Sequence, residues 1–468
     1  MTTPSTPRLI RSLGVRDLVL MNIAAIVGLR WLSNAAQIGP ASLTLWLIAL
    51  LIFLLPMALA VLELSSRLPA EGGLYVWTKS AFGDHHGFIA GWSYWVSNLV
   101  FLPSALLFGA GALAHLFTDP SGLAENSWYN GAVCLGVLWL ATLANITGLD
   151  RAKWLQNIGA LATWVVASVL LVAAGYSMWN VGSATPITTA SLAPDLGSLA
   201  AWSTLAGIAF AYVGLELGPI LGGEIREPRK TIPRATLISC LLIALIYLAG
   251  TAALLVALPT AKIHLITGIP QALAAVGERV GLPSLGPIMA LLLALGSFGS
   301  VSAWVTGTAR LPFVVGVDRY LPAMLSRQHS RFGTPHIALL TQATLTTLVL
   351  VAGLAGTTIR EAYTLLLDMT LVLTFIPLLY LFAALPVMRW REQRAGGSIA
   401  PEIWRAPGGF VGSVIIGGTG FATTLLAIVT SIIPPADNAE PMMFLIKVVG
   451  GCALMVAVGM GFYWRGRV

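Results

Sequence analysis

Two stretches of this 468-residue chain place a charged side chain inside a run of apolar residues. Arg30 follows the tripeptide VGL, and Glu216 follows a second copy of the same tripeptide far downstream. A charge at the centre of a membrane is costly, so residues of this kind are usually functional. Interrupted apolar segments at corresponding places in two halves of a chain point to the binding site of a transporter. We therefore predict that both interruptions face a bound substrate.

The composition is that of an integral membrane protein. Hydrophobic residues make up 57% of the chain, and only 10% of residues are charged, against about 25% in soluble domains. The three cysteines have no metal-binding or disulfide spacing, and no metal or cofactor is expected. The first 17 residues carry three arginines with no cleavage-like site after them, so we expect no signal peptide.

Twelve segments are long and apolar enough to cross a bilayer, which takes about 20 residues. The predicted spans cover approximately 17–38, 42–66, 87–117, 128–148, 154–178, 198–222, 234–258, 284–309, 336–355, 361–387, 411–433 and 441–463. None alternates polar and apolar residues as barrel strands do, which predicts an all-α membrane protein.

The basic residues predict the orientation of these spans. With the N-terminus inside, 21 of the 26 lysines and arginines lie in cytoplasmic segments, three in outer loops (Lys262, Arg279 and Arg360), and two within spans (Arg30 and Lys447). This asymmetry follows the positive-inside rule and predicts an inner-membrane protein with both termini in the cytoplasm. It also explains the net charge of +7 without nucleic acid, because the basic residues are spread over many loops.

The spacing of the two interruptions predicts an internal repeat. They lie in spans one and six, which cross the membrane in opposite directions, as in an inverted repeat of five plus five helices. We expect a transporter core at 1–388, with repeats at about 12–180 and 195–388. A cytoplasmic linker at 389–408 and two further helices at 409–468 complete the chain. The amphipathic stretch 68–83 is expected to form a short cytoplasmic helix along the membrane.

Four motifs resemble the amino acid–polyamine–organocation superfamily of permeases, and within it the arginine/agmatine and glutamate/GABA antiporters. They are EGGLYVW with FG (71–83), VGLE (213–216), GGEIREPRKTIPRA (222–235) and ARLPFVVGVDRYLP (309–322). The resemblance covers roughly residues 12–390. It implies the LeuT-like fold, a five-plus-five inverted repeat with discontinuous helices one and six, here followed by two extra helices.

The resemblance also implies roles for individual residues. The family's glycine–serine–glycine signature, whose backbone amides bind the substrate carboxylate, falls on Ala25, Ile26 and Val27, and only Gly28 remains nearby. The matched positions then assign a gating tyrosine to helix three, an aromatic and an acidic residue to helix six, and a tryptophan gate to helix eight: Tyr94, Phe210, Glu216 and Trp304. Tyr212 and Gly214 are included among the substrate contacts.

Arg30 needs an anion, because a helix N-terminus is already positive. Three partners are open: the substrate carboxylate, Glu216, or Asp368 in span ten as an outer gate. Alternatively, Arg30 extends to the outer interface, as long basic side chains near helix ends do. Glu216 either handles protons or forms a structural ion pair. Glu63 and Arg67, near the inner end of span two, are expected to face lipid headgroups.

Coupling is less defined by the sequence. Thr163 stands where some relatives place a lysine in helix five, and Ser297, Ser300 and Ser302 lie in helix eight, where related transporters bind sodium. Serines in membrane helices usually bond to their own backbone. Sodium is neither excluded nor supported, and we favour proton or exchange coupling.

These observations predict a secondary transporter for an amino acid or a related amine or carboxylate, working by alternating access and not an enzyme. The alternatives are a substrate sensor on the same scaffold and, with less support, a membrane-embedded enzyme, whose metal-binding His and acidic motifs are absent from the sequence. Expected partners are a small amino acid-like molecule and the lipid bilayer. The oligomeric state and the identity of the substrate stay open.

Overall fold

The structure is a computed structural model, and it describes residues 11–117, 119–180, 182–263, 269, 285–318, 320–354, 359–395, 403–434 and 441–466. The side chains of residues 121, 317 and 359–364 are also outside this description. The described part is helical, apart from loops and one isolated bridge between Leu13 and Ile225. The sequence also predicts a helical stretch at about 270–280, in the outer loop 262–280, and this stretch lies outside the described residues.

Sixteen helices form the framework of the described chain. They are α1 (Val15–Ile26), α2 (Arg30–Ala36), α3 (Ala41–Arg67), α4 (Leu74–Phe82), α5 (Asp84–Ala114), α6 (Ser127–Ile146), α7 (Leu149–Asn180), α8 (Leu199–Ala211), α9 (Leu217–Ile220), α10 (Pro228–Ala257), α11 (Leu285–Thr308), α12 (Arg310–Val317), α13 (His336–Leu354), α14 (Ile359–Ala395), α15 (Gly409–Ile432) and α16 (Pro441–Gly466). Short turns of helix at Pro120–Ala124, Thr189–Leu192, Gly222–Glu224, Thr260–Lys262 and Ala323–Ser326 lie in the connections.

The number of spans agrees with the sequence in part. Among the described residues, ten helices are long and apolar enough to cross a membrane, and α1 with α2 forms an eleventh span bent by 47°. The remaining predicted span, 198–222, is divided between α8, which is 13 residues long, and the four-residue α9. The structure therefore shows a multi-pass helical membrane protein. The count of twelve spans and the inverted repeat stay predictions.

Both interruptions noted in the sequence are breaks in the helical backbone. In the first, α1 ends at Ile26 and α2 begins at Arg30, with Val27 at a non-helical ψ of 85°. In the second, α8 ends at Ala211, and Gly214 adopts a φ of +132° before α9 begins. Only glycine adopts such an angle readily. A Cβ at Gly214 would also approach Ile26 Cγ1 to 2.6 Å, so the two breaks are in contact.

The broken helices are held by a well-packed frame. Helix α5 is almost entirely buried, and it packs against α11 and α14. Helices α7 and α11 meet at Gly159 and Gly299, where a Cβ on Gly159 would lie 2.6 Å from the Cα of Gly299. Small residues allow this backbone approach, which is typical of helix pairs in membranes.

One sequence expectation is corrected near the end of α3. Glu63 is fully buried and does not face headgroups, because Arg389 and Arg67 both donate hydrogen bonds to it. Arg389 belongs to α14, which continues to Ala395, eight residues beyond the predicted membrane span of 361–387. The ion pair with Glu63 explains the extra turns, since it holds the charged end of α14 against α3.

Helix α4 confirms the short amphipathic helix predicted within 68–83. Its apolar residues Leu74, Tyr75 and Trp77 are buried, and Trp77 donates a hydrogen bond to the carbonyl of Leu68 at 3.2 Å.

Candidate substrate site at two helix breaks

The hydroxyl of Tyr247, in α10, lies between the two breaks. It is 2.6 Å from the carbonyl oxygen of Ile26 in the first break and 3.1 Å from that of Ala211 in the second. It also accepts a hydrogen bond from the amide of Gly28 at 3.1 Å. Backbone groups freed by a broken helix must find other partners in a membrane. One side chain therefore supplies partners for both unwound segments.

An aromatic cluster fixes this tyrosine in place. The ring of Trp46 stacks on Tyr247 with centroids 4.5 Å apart, and Tyr212 meets both rings edge to face. All three side chains are fully buried. Stacked and edge-to-face pairs of this kind add stability beyond the area that they bury, so the Tyr247 hydroxyl is held in a defined position.

A tryptophan of α11 provides a hydrogen-bond donor for a free carbonyl at the end of α1. The indole N–H of Trp304, in α11, donates to the carbonyl of Ala25 at 2.9 Å, and the Ser300 hydroxyl approaches the same oxygen at 3.4 Å. The carbonyls of Ala25 and Ile26 thus both have side-chain partners. The end of α1 is fixed by two neighbouring helices, α10 and α11.

One cavity lies beside these contacts, between the two breaks and helices α5, α11 and α14. Its walls are mainly apolar and aromatic. Phe210 and Trp304 line it together with Trp31 and Phe101, while polar groups come from Asn98, Thr370 and Thr374. An apolar enclosure with a few polar groups is the usual form of a small-molecule site.

Phe210 occupies the centre of this aromatic wall. Its ring centroid is 5.4 Å from that of Trp31, 5.9 Å from that of Phe375 and 6.3 Å from that of Phe101. The amide oxygen of Asn98 is buried and has no hydrogen-bond partner in the described part of the chain. This oxygen is therefore available to a polar group of a ligand.

A second cavity adjoins the first break. Residues 25–31 line it, and the two cavities share Ala25, Ile26, Trp31 and Phe101. The opposite wall comes from α7 and α11 and carries the hydroxyls of Thr163, Ser297 and Ser300. Each of these hydroxyls is within hydrogen-bond distance of a backbone carbonyl oxygen.

Arg30 lines the second cavity and is 6% exposed. Its guanidinium carbon lies 5.0 Å from the ring centroids of both Trp31 and Phe101. The Nε atom is buried without an acceptor, and within the described residues no carboxylate is within ion-pair distance of the guanidinium. Aromatic faces attract a cation but do not accept its N–H groups as an oxygen does. An anion is therefore the chemical complement of this side chain.

Glu216 is also fully buried, but its oxygens have partners. The hydroxyl of Tyr94 donates to Oε1 at 2.6 Å, and the amide of Gly214 donates to Oε2 at 3.1 Å. No ion pair reaches Glu216 among the described residues, so the structure contains neither the Arg30–Glu216 pair nor the Arg30–Asp368 pair. The predicted gating roles of these residues stay predictions.

The structure brings most of the predicted site residues together. Two of the three cavity-lining aromatics predicted from the family resemblance, Phe210 and Trp304, line the first cavity. Tyr94 contacts Trp304 and Glu216 behind the wall. Asp368 and Tyr212 line neither of these two cavities. Tyr212 packs on Trp46, and its role as a substrate contact stays a prediction.

Sequence reasoning did not identify Tyr247, Asn98 or Phe101 as site residues. Each is an ordinary polar or aromatic residue in an apolar helix, without a charge or a motif to distinguish it. Spacing offers one signal for Phe101, because it lies seven residues after Tyr94 and therefore on the same face of α5. In the described part of the chain, no group of three His, Cys, Asp or Glu residues is arranged to hold a metal ion.

The broken spans, the enclosed cavity and the polytopic helical fold define a class: a multi-pass membrane transporter. Residues 13–458 match the family described as amino acid permease, and the chain belongs to that family. Its relatives include antiporters of the amino acid–polyamine–organocation superfamily, which confirms the resemblance drawn from the motifs.

Three relatives illustrate the range of similarity. An uncharacterized transporter of Legionella pneumophila is 28% identical over 451 residues, covering 95% of each chain. A glutamate/gamma-aminobutyrate antiporter of Lactococcus lactis is 25% identical over 83% of this chain and 77% of its own length. A probable agmatine/putrescine antiporter of the same species is 27% identical over 68% of this chain and 66% of its own.

Proposed function

We propose that this protein is a secondary active transporter of an amino acid, or of a closely related amine or carboxylate, that works by alternating access. The observation that carries the proposal is the meeting of two broken helices beside an aromatic cavity, with Tyr247 bonded to both breaks. Broken helices provide unpaired backbone groups, which can bind a substrate, and two points at which the helices can bend. Substrate binding and the movement of the helices can then occur at the same two breaks.

The proposed substrate has at least one carboxylate, which pairs with Arg30. The buried guanidinium has an orphaned Nε, and the first break no longer has the family's glycine signature. A planar guanidinium can donate two parallel hydrogen bonds to a carboxylate. Trp31 and Phe101 border both cavities, so a substrate spanning the two would place its carboxylate near Arg30 and its remainder beside Phe210.

We propose proton or exchange coupling rather than sodium coupling. The hydroxyls that would ligate sodium, those of Thr163, Ser297 and Ser300, line the same cavity as the Arg30 guanidinium. Two cations in one low-dielectric cavity repel each other strongly. The cation already present therefore disfavours a sodium ion there.

The distribution of basic residues supports a location in the inner membrane, with both termini on the cytoplasmic side. The antiporters of Lactococcus lactis are similar over most of the chain, and exchange of two related solutes is accordingly the mode that we propose first.

A two-stage experiment tests the proposal. Purified protein is first screened by thermal shift against amino acids, amines and carboxylates, and each stabilising compound is then tested for uptake and exchange in proteoliposomes. We expect at least one carboxylate-bearing solute to be both bound and transported. Binding without flux under proton, sodium or counter-substrate gradients would instead identify a sensor, and neither binding nor flux would refute the proposal.

A further inference from the structure

Two glycine-containing motifs, EGG after α3 and GGE after α9, are interlocked in the structure. A Cβ on Gly222 would lie 2.6 Å from the carbonyl oxygen of Pro69, and a Cβ on Gly223 would lie 2.2 Å from Glu71 Oε2. Glycine is needed at position 222, where the obstacle is backbone, whereas at position 223 the obstacle is the end of the Glu71 side chain. The contact brings two acidic side chains, one from each motif, into the same buried region.

Arg310, at the start of α12, faces this region and is fully buried. Its Nη2 donates to both carboxylate oxygens of Glu224, at 3.1 and 3.2 Å, and its Nη1 donates to the carbonyl of Thr306 at 2.5 Å. Glu71 is the second carboxyl group. Its Oε2 accepts a hydrogen bond from the amide of Gly223 at 3.0 Å, whereas its Oε1 is buried without a partner.

The cluster therefore contains two carboxyl groups and one guanidinium. Burial, followed by the negative charge of Glu224, raises the pKa of Glu71 well above its ordinary value, although Arg310 and the Gly223 amide oppose the rise. Burial also raises the pKa of Glu224, and Arg310 opposes that rise directly. Two buried carboxylates that share one cation repel each other, which favours a proton on one of them.

The surrounding charged groups are engaged elsewhere. On α4, Lys79 pairs with Asp318 at 2.6 Å and with Asp84 at 3.5 Å, and the Tyr75 hydroxyl is bonded to Asp318. Glu227 pairs with Lys230 at the surface. Glu224 raises the pKa of Glu71 and Arg310 lowers it through direct electrostatic interaction.

The position of the cluster connects it to both broken helices. The amides of Ser12 and Leu13, just before α1, donate to the carbonyl of Glu224, and the amide of Arg226 donates to the carbonyl of Leu13. The segment leading into the first broken helix is thus paired with the segment leaving the second. Separation of these segments would open this face of the protein and expose the cluster to water.

We propose that Glu71, Glu224 and Arg310 form a proton-binding site that holds one proton on Glu71 while this face is closed and releases it to water when the face opens. The proposal rests on the alternating-access cycle proposed above and supplies a site for proton coupling, one of the two modes of coupling proposed there. In the released state, Glu71 is an ordinary hydrated carboxylate, and the proton has passed to solvent on the side of the N-terminus.

The direction of the pH effect follows from the two pKa values. Glu71 has a higher pKa in the closed state than in the open state. Proton binding therefore stabilises the closed state relative to the open state, and this stabilisation is complete below the ordinary carboxyl pKa. This stabilisation of the closed state is lost as the pH rises from the ordinary carboxyl pKa through the raised pKa of Glu71. Higher pH on this side therefore favours opening.

Infrared spectroscopy of the purified full-length protein tests the protonation directly. Spectra are titrated from about pH 4 to about pH 9, a range that covers both ordinary and strongly raised carboxyl pKa values. We expect the wild type to have a protonated-carboxyl band near neutral pH that disappears in Glu71→Gln. Glutamine retains an oxygen for the Gly223 amide, and Glu227→Gln serves as an exposed control that should leave the band unchanged.

A second variant examines the cause of the protonation. In Glu224→Gln, the repelling charge is removed and Arg310 becomes free to pair with Glu71. The Glu71 band should then titrate at lower pH. A band that persists in Glu71→Gln but disappears in Glu224→Gln would overturn the assignment to Glu71, and no protonated band at any tested pH would overturn the site itself.

Accessibility measurements test the link to opening. Leu13 is 4% exposed, so Leu13→Cys in a variant without Cys134, Cys240 and Cys452 should react with a hydrophilic thiol reagent only when this face opens. Normalised to the exposed control Asp150→Cys in the same background, the labelling rate should rise with pH, and Glu71→Gln should abolish the rise. An unchanged pH slope in Glu71→Gln would contradict the coupling. Neither readout requires transport, so failure of the proposed function would be seen separately.

Discussion

At the scale of single residues, Arg30 combines burial, a positive charge and the absence of a carboxylate partner in the described chain. Most buried polar groups in proteins are hydrogen-bonded, so an orphaned guanidinium nitrogen needs a physical explanation. A substrate carboxylate provides one. The charge was visible in the sequence, but its isolation was not, because the distances to Glu216 and Asp368 depend on how three helices pack.

Replacement of Arg30 by alanine should weaken binding of carboxylate-bearing substrates about ten- to a hundredfold, because hydrogen bonds to charged groups contribute roughly 1.5–3 kcal/mol. Arg30→Lys keeps the charge without the planar fork and should have an intermediate affinity. Dissociation constants from thermal shift or isothermal titration measure the effect. Normal affinity in Arg30→Ala would exclude a direct contact.

Removal of the Tyr247 hydroxyl should destabilise both breaks. Tyr247→Phe removes the single hydroxyl proton that faces the carbonyls of Ile26 and Ala211, together with the oxygen that accepts from the Gly28 amide, at a cost of about 1–3 kcal/mol for a buried group left unpaired. We expect a lower melting temperature and slower transport. Tyr176→Phe is a suitable control because that residue is 44% exposed. Equal melting curves for the two variants would contradict the role given to Tyr247.

At the scale of elements, the helix breaks were the feature best predicted from sequence. A charge in each apolar run and a glycine beside it indicated where helices one and six stop, and the structure confirms both interruptions. The length of α14 was predicted less well. A run of charged residues normally indicates an exposed linker, but Arg389 is buried against Glu63, which lies 326 residues away in the chain.

The second break gives a test with a close control. Gly214→Ala forces a side chain onto a φ of +132° and to 2.6 Å from Ile26 Cγ1, so we expect lower stability, by about 1–3 kcal/mol from the backbone alone, and impaired transport. At Gly218, four residues on, the nearest atom to a new Cβ would be 3.5 Å away. Gly218→Ala should therefore be tolerated, and equal effects of the two changes on melting temperature would argue against a strained break.

The Glu63–Arg389 pair joins the start of the linker region to α3. Loss of one partner of a buried ion pair costs about 3–5 kcal/mol, so Glu63→Gln should clearly lower the melting temperature. Glu227→Gln, in an exposed pair, should have little effect. If Glu63→Gln melted like the wild type, the pair would not hold α14 in place.

At the scale of the whole molecule, composition and the spacing of apolar segments were sufficient to predict a helical, multi-pass membrane protein, and the four motifs were sufficient to predict its superfamily. The polar contacts that tie the parts together could not be predicted. Tyr247 and the Glu71–Glu224–Arg310 cluster each join segments more than 80 residues apart, and a single sequence carries no sign of which distant residues meet.

Counterflow in proteoliposomes tests the central claim most directly. Vesicles containing the purified protein are loaded with an unlabelled solute that stabilises it, and the labelled solute is supplied outside without any ion gradient. The proposed transporter should accumulate label transiently, and Arg30→Ala should require a higher solute concentration to do so. Binding of the solute by the wild type without any accumulation of label would contradict transport by alternating access.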